Sequence, residues 1–242
     1  MTAVWLIARR ELGTYLRTMG GYVIAAAALF VQSILFNAIA LGSEQSQLST
    51  EVLSRFFWTH SGVTMTACIL LSMRLLAEER LTGTMVLLES SPVRESEIVL
   101  GKFLSALIFL TLMTLAGIFM PLLILVHGKL SLGHVAAGYL GILLLGSASL
   151  ALGLLASALT RSQLVAAIVG TALLVGAILV YPLAALVEAP LNDVLLALGI
   201  WHRHFPAFQT GIINLRDVVY YLLVTYFALF LSVRVLEARR WS

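Results

Sequence analysis

Six long runs of apolar residues, separated by short polar segments, dominate the pattern of hydrophobic and polar positions along the chain. A helix needs about 20 mainly apolar residues to cross the hydrocarbon core of a bilayer. The pattern therefore predicts six membrane-spanning helices, at about 22–41, 59–77, 103–126, 135–159, 164–187 and 218–236. We expect an all-α membrane protein that forms a single transmembrane domain over residues 1–242.

The composition supports a membrane protein. Of the 242 residues, 60% are hydrophobic and only 11% are charged, whereas soluble domains contain about 25% charged residues. The basic net charge of +3 does not indicate nucleic-acid binding, because no basic stripe with interleaved aromatic residues is present. The one cysteine, Cys68, lies inside an apolar run and can form no disulfide within the chain.

The positions of the basic residues predict the orientation. With six spans both termini lie on one side, and that side carries eleven basic residues: Arg9, Arg10, Arg17, Arg74, Arg80, Arg94, Lys102, Arg161, Arg234, Arg239 and Arg240. The other side carries four: Arg55, Lys129, Arg203 and Arg216. Because loops rich in lysine and arginine stay in the cytoplasm, we expect both termini there.

Residues 1–19 predict an amphipathic helix that lies in the membrane interface, before the first span. Apolar side chains recur at helical spacing, and another face carries Arg10, Thr14, Arg17 and Thr18. We expect the arginines to face lipid phosphates and Gly20-Gly21 to bend the chain into the membrane. The alternative is a cytosolic extension of the first span. A signal peptide is disfavoured, because the segment before the apolar run is long and itself patterned.

Two further segments carry structural information. Ser149, Gly153 and Ser157, four residues apart in the fourth span, form a small-residue face that allows close helix packing within the chain or across a dimer. The segment 188–217 contains an apolar piece, Val194–Trp201, that is too short to span and predicts a re-entrant or interfacial helix.

No catalytic or metal site is visible in the sequence. His202 and His204 lack further ligands at metal-binding spacing, so that solvated interfacial histidines are favoured over a metal site. Gly101-Lys102 is not part of a Walker motif, because Phe103 follows the lysine and Ser96 occupies the position of the first glycine. Glu78 and Glu79 are adjacent, so that on a helix they point apart and do not form a pair of catalytic acids. We therefore expect no enzyme activity in this chain.

The longest charged segment, residues 78–102, separates the second and third spans. Gly83 is expected to break the helix that continues from the second span, and Thr84 to cap a short helix, Met85–Ser90. Pro92 ends that helix, since proline cannot continue it. The apolar face from Met85 to Leu88 needs a cover, which indicates a docking site for a soluble partner. The alternative is a helix that lies on the bilayer surface.

The same segment resembles the signature of ABC-2-type transporter permeases. The resemblance is carried by Glu78-Glu79-Arg80-x-x-Gly83-Thr84, Leu87-Leu88, Ser91-Pro92-Val93 and Glu97–Lys102. It extends over nearly the whole chain, and Phe205-x-x-Phe208-x-x-Gly211 with Asp217–Tyr221 is similar to the gliding-motility-type branch. In this family the equivalent segment is the coupling helix that docks on a separate ATPase subunit. The coupling positions implied here are Glu78, Glu79, Arg80, Gly83, Thr84, Met85, Leu88 and Pro92, with Lys102 as an anchor.

The resemblance implies a permease subunit in the bacterial cytoplasmic (inner) membrane that couples ATP hydrolysis to transport, with export favoured. ATP and Mg²⁺ would be bound by a dimeric P-loop ATPase, and this chain would hold no cofactor. Its membrane partner would be a second copy or a related subunit with an extracytoplasmic domain. The alternative function is a membrane scaffold that holds a cytosolic protein without transport. A secondary transporter is disfavoured by the absence of internal repeats and of buried ion-binding groups.

Overall fold

The computed structural model describes residues 3–41, 49–83, 93–124, 131–188 and 190–240, and these residues form helices and no β-strand. In chain order the helices are α1 (Ala3–Arg17), α2 (Met19–Leu35) with a π-helical continuation (Phe36–Leu41), α3 (Ser49–Ser72), α4 (Ala77–Leu81), α5 (Glu95–Ala116), α6 (Phe119–Leu123), α7 (Leu132–Leu159), α8 (Gln163–Ala184), α9 (Leu191–Leu198), α10 (Phe205–Gln209) and α11 (Leu215–Arg240). The predicted all-α fold is confirmed.

Six helical segments of the described residues are long and apolar enough to cross a membrane: Met19–Ile39, Ser49–Leu81, Glu95–Leu123, Leu132–Leu159, Gln163–Ala184 and Leu215–Arg239. The predicted number of spans is confirmed, and the protein is a multi-pass membrane protein. The second span begins at Ser49 and not near residue 59. Its first turns contain the exposed ion pair between Arg55 and Glu51 (2.6 Å), and these charged residues interrupt the apolar run in the sequence. The other face of the same turns is buried and is formed by Val52, Leu53, Phe56 and Phe57.

The bend between α1 and α2 lies at Thr18, whose backbone is extended (φ −97°, ψ 148°). The predicted bend at Gly20-Gly21 is therefore wrong, because both glycines lie inside α2. Glycine is required at position 21 for packing and not for a bend. A Cβ atom there would overlap the backbone of Tyr15, so that glycine allows α1 and α2 to approach each other. Tyr15 is itself buried and its hydroxyl donates to the Leu71 carbonyl (3.0 Å), which holds α1 against the second span.

Helix α7 is the most buried of the six spans and packs against α3, α8 and α11. Two apolar clusters surround it. One contains Tyr15, Leu76, Phe103 and Leu154, and we call its end of the bundle the charged end, because α1 and α4 lie there. The other contains Phe56, Phe205, Phe208 and Tyr221 and marks the opposite end.

The segment between α8 and α11 forms two short helices, α9 and α10, at the opposite end. The prediction that both histidines are solvated is wrong for His204, which is 2% exposed. Its Nδ1 lies 2.7 Å from Oδ1 of Asp217, and its Nε2 lies 3.1 Å from the Ala197 carbonyl oxygen. Asp217 follows 13 residues later in α11, so that its pairing depends on the fold. His202 is exposed and stacks on Tyr181.

Candidate functional site

The charged end holds the stem of the predicted coupling segment, which is helix α4 and the turn before it. The Ser157 hydroxyl, near the end of α7, accepts hydrogen bonds from the backbone N–H groups of Leu76 (3.1 Å) and Ala77 (2.9 Å). It also donates to the Met73 carbonyl (3.2 Å). One buried hydroxyl therefore satisfies three backbone groups where α3 ends and α4 begins, and it uses its full hydrogen-bonding capacity.

Replacing Ser157 with alanine is expected to lower the free energy of unfolding by about 1–3 kcal/mol, because buried N–H groups lose their acceptor. The measurement is the unfolding of the purified chain in detergent by heat or denaturant. Ser149→Ala is the matched control in the same helix, since the Ser149 hydroxyl donates only to the Leu145 carbonyl of its own helix. Equal stability of the two variants would contradict the role assigned to Ser157.

Arg80 connects α4 to the end of α7. Its guanidinium donates to the carbonyl oxygens of Ala158 and Thr160 (3.0 Å to the latter). Arg239 of α11 donates to the neighbouring Leu159 carbonyl (2.6 Å). Both cations lie at a helix C-terminus, where unpaired carbonyl groups and the helix dipole favour positive charge. The end of α7 is thus held by one arginine from the stem and one from the last helix.

A buried ion network joins the stem to α1 and α5. The Lys102 Nζ lies 2.9 Å from a carboxylate oxygen of Glu79 and 3.2 Å from one of Glu11. Arg10 contacts the same two carboxylates, at 2.8 Å for Glu11 and 3.1 Å for Glu79. The Lys102 side chain is only 2% exposed. Arg10 reaches the two carboxylates from the surface, since its side chain is 58% exposed. Together with Lys102 it balances the charge of Glu11 and Glu79, and buried ions are tolerated when they are paired in this way.

The electrostatic environment of Glu11 reflects this network. Burial acts to raise its pKa, but the charges of Lys102 and Arg10 and the hydrogen bonds from them outweigh burial and lower the pKa below its usual value. Glu11 is therefore ionised at neutral pH. Glu78, in contrast, points to another partner and binds the Arg74 guanidinium at 2.9 Å and 3.1 Å. The adjacent carboxylates of Glu78 and Glu79 thus have separate partners, as their positions on a helix predict.

The stem ends at Gly83, where the chain leaves α4. Gly83 has φ +73°, a left-handed conformation that strains other residues. The Thr82 hydroxyl donates to the Glu78 carbonyl (3.0 Å), and the Leu81 side chain is 68% exposed. Where the chain leads back into the bundle at the start of α5, the backbone N–H of Arg94 donates to the Glu97 carboxylate (3.0 Å). Four predicted coupling positions lie outside the described residues: Thr84, Met85, Leu88 and Pro92.

The structure brings Glu79, Lys102 and Ser157 together around the stem. The sequence assigned Glu79 and Lys102 to the coupling segment and Ser157 to helix packing. Gly153 lies where α7 meets α3, and a Cβ atom there would overlap the side chain of Ser72. Sequence reasoning missed Arg10 and Glu11 as partners of the loop. A signal was available, because Glu11 is the only acidic residue among the first 43 and follows an arginine pair.

A groove of about 690 Å³ lies beside this bundle, between α2 and α3. Its walls are formed mainly by apolar side chains, among them Ile24, Val31, Leu35, Val63, Met65 and Leu70. Trp58 and Trp201 line it towards the opposite end, with their rings 6.1 Å apart. The groove can accommodate hydrocarbon, and Thr59 and Thr66 are the hydroxyl groups in its lining. Among the described residues no group of three or more His, Cys, Asp or Glu side chains is arranged to hold a metal ion.

Comparison with known protein families shows which family the chain resembles. The family model described as "ABC-2 family transporter protein" matches residues 27–233, from the first span to near the end of the last one. A comparison with curated proteins gave no match.

Proposed function

Because the chain belongs to the ABC-2 family of transporter proteins, and is therefore a membrane permease component of an ABC transporter, we propose that it couples ATP hydrolysis by a separate ATPase subunit to export of a substrate. Members of this family work with an ATPase subunit. In this proposal the charged end is cytoplasmic, the membrane is the bacterial inner membrane, and ATP and Mg²⁺ are bound by the partner ATPase dimer.

The observation that carries the proposal is the buried network of Glu79, Lys102 and Glu11. It links the stem of the loop to α1 and α5, while Ser157 and Arg80 link it to α7. A force applied to the loop by a partner is therefore transmitted to three helices at once, and two of them are membrane spans. Coupling requires that the two ATPase states differ in their contacts with the loop, and a rigid stem converts that difference into helix movement.

The transport path in this proposal lies between this permease and a second copy or a related membrane subunit of the gliding-motility-type branch. The groove on α2 and α3 supports this position of the path, because a path between two subunits needs a concave wall. The residues proposed for docking are those of the loop from Glu78 to Pro92, with the apolar positions Met85 and Leu88 as the contact face.

Replacing the exposed Leu81 with aspartate is expected to weaken association with the ATPase subunit at least tenfold, because a charge replaces an apolar side chain beside the docking face. The measurements are co-purification of the ATPase and its rate of ATP hydrolysis with the reconstituted permease. The stability of the chain should not change, since Leu81 is 68% exposed and such substitutions have small effects. Glu79→Arg is a poorer test, because it would also break the stem.

Leu132→Asp is the matched control for Leu81→Asp. Leu132 is 74% exposed at the start of α7, at the opposite end of the bundle. Normal association and normal ATP hydrolysis in both variants would contradict the docking site. If Leu81→Asp loses association with the ATPase and the wild-type chain does not change the rate of ATP hydrolysis, the scaffold function is favoured.

A further inference from the structure

We infer that the outer face of α1 binds the phosphate group of an anionic phospholipid. This face carries a shallow hollow of about 550 Å³, lined by Leu6, Arg9, Arg10, Gly13, Thr14, Arg17 and Thr18. Gly13 leaves the floor of the hollow open, because no atom of the described residues, apart from the backbone of its own helix, lies within 4 Å of the position its Cβ would take. The hollow therefore combines three guanidinium groups, two hydroxyl groups and space for a tetrahedral anion.

The positive charge of this face is only partly balanced by the protein. Arg10 shares the carboxylates of Glu11 and Glu79, and both of these are also held by Lys102. Arg9 and Arg17 are exposed, and neither forms an ion pair with any residue in the described part of the chain. Guanidinium groups bind phosphate oxygens in pairs through parallel N–H bonds, so that an external phosphate is the complementary ligand.

The position of the hollow favours a lipid over a soluble partner. Arg17 is the last residue of α1, and a single residue separates it from Met19, where the first span begins. The arginines therefore lie at the boundary between the apolar span and water. Apolar side chains flank the hollow and are exposed, from Trp5 and Leu6 to Leu16, Met19 and Tyr22. They can enter the hydrocarbon below a lipid headgroup, as in other interfacial helices.

Binding of a lipid at this face involves this chain alone and does not depend on the proposed coupling to an ATPase. The lipid site and the proposed coupling stem share helix α1, because the inner side of this helix presents Glu11 to Lys102. A lipid held on the outer face would stabilise the position of α1 against the stem.

The test is a titration of the full chain in detergent micelles with phosphatidylglycerol or phosphatidylcholine, with bound lipid counted by native mass spectrometry. The wild-type chain should prefer phosphatidylglycerol. Arg9→Gln/Arg17→Gln should bind it about 30-fold more weakly, given the contribution of each basic side chain near an anionic surface. Arg203→Gln/Arg216→Gln is the charge-matched control, since both arginines are exposed and lie at the opposite end, and it should bind like the wild type.

A second variant tests the hollow without changing charge. Gly13→Leu fills its floor and should weaken phosphatidylglycerol binding about tenfold, through loss of one bidentate contact, while the helix is retained. Unchanged binding in Gly13→Leu would overturn the assignment of the hollow. Equal affinity for both lipids would overturn the inference, as would full competition by inorganic phosphate at the same concentration. It would also fail if Arg9→Gln/Arg17→Gln kept lipid binding and lost only the ATPase subunit, because the face would then bind an acidic protein surface.

Discussion

Replacing Lys102 with methionine is expected to lower the free energy of unfolding by about 3–5 kcal/mol, because removal of one partner leaves a buried charge uncompensated. Methionine retains most of the side-chain volume, so that the loss reports charge and not a cavity. The side chains of Glu79 and Glu11 are only 13% and 17% exposed, and Arg10 alone cannot neutralise both. The measurement is thermal or denaturant unfolding of the purified chain in detergent or nanodiscs.

Two comparisons separate this effect from a general loss of charge. Arg234→Met breaks an exposed ion pair with Glu237 (2.8 Å) and should cost less than about 1 kcal/mol. Lys102→Met combined with Glu79→Gln restores the balance between Glu11 and Arg10, so that the double variant should be more stable than Lys102→Met alone. If Lys102→Met is as stable as Arg234→Met, the network does not hold α1, α4 and α5 together.

Replacing Gly153 with leucine is expected to destabilise the chain by about 3 kcal/mol, at the upper end of the cost of overpacking a core. A Cβ atom at position 153 would overlap the side chain of Ser72, and the rest of the leucine would push α3 away from α7. Both helices are membrane spans. Their separation would also displace the Ser157 hydroxyl, one turn further along α7, from the backbone of Leu76 and Ala77. The unfolding measurement described for Lys102 applies.

Gly176→Leu is the control for Gly153→Leu. Gly176 lies in α8 and is exposed. In the part of the chain that the structure describes, only the backbone of its own helix comes within 4 Å of the position of a Cβ. Leucine there should be neutral or slightly stabilising, because leucine favours a helix more than glycine does. If both variants lose the same stability, the cost belongs to leucine in a span generally, and Gly153 has no special role in the contact between α3 and α7.

The six spans could be predicted because the length of an apolar run is a local property. The start of α3 could not, because Glu51 and Arg55 interrupt the hydrophobic pattern on the exposed side of the helix while Phe56 and Phe57 are buried on the other. The surroundings of His204 could not be predicted either. His204 precedes α10, whereas its partner Asp217 lies in α11, 13 residues later and beyond α10. Such a separation leaves no periodic signal.

In the candidate site, too, the sequence indicated individual residues, whereas their contacts depend on the fold. Family resemblance selected Glu79 and Lys102, and α1 was predicted from its helical periodicity. The contact between Lys102 and Glu11 joins residues 91 positions apart, and only the packing of α1 on α5 brings them within 3.2 Å. Ser157 was selected as a small residue for helix packing, whereas its hydroxyl satisfies three backbone groups of the stem.

The sequence by itself determined the all-helical membrane fold, the number of spans, the amphipathic first helix and the position of the charged loop. Each of these depends on interactions between neighbouring residues and their solvent, which hydrophobic runs and helical periods record directly. Only the tertiary structure decided which charges of α1, α4 and α5 compensate one another, and that the loop's stem is held by α7. A buried charge or hydroxyl is stable only beside its partners, and those partners are chosen by the packing of distant helices.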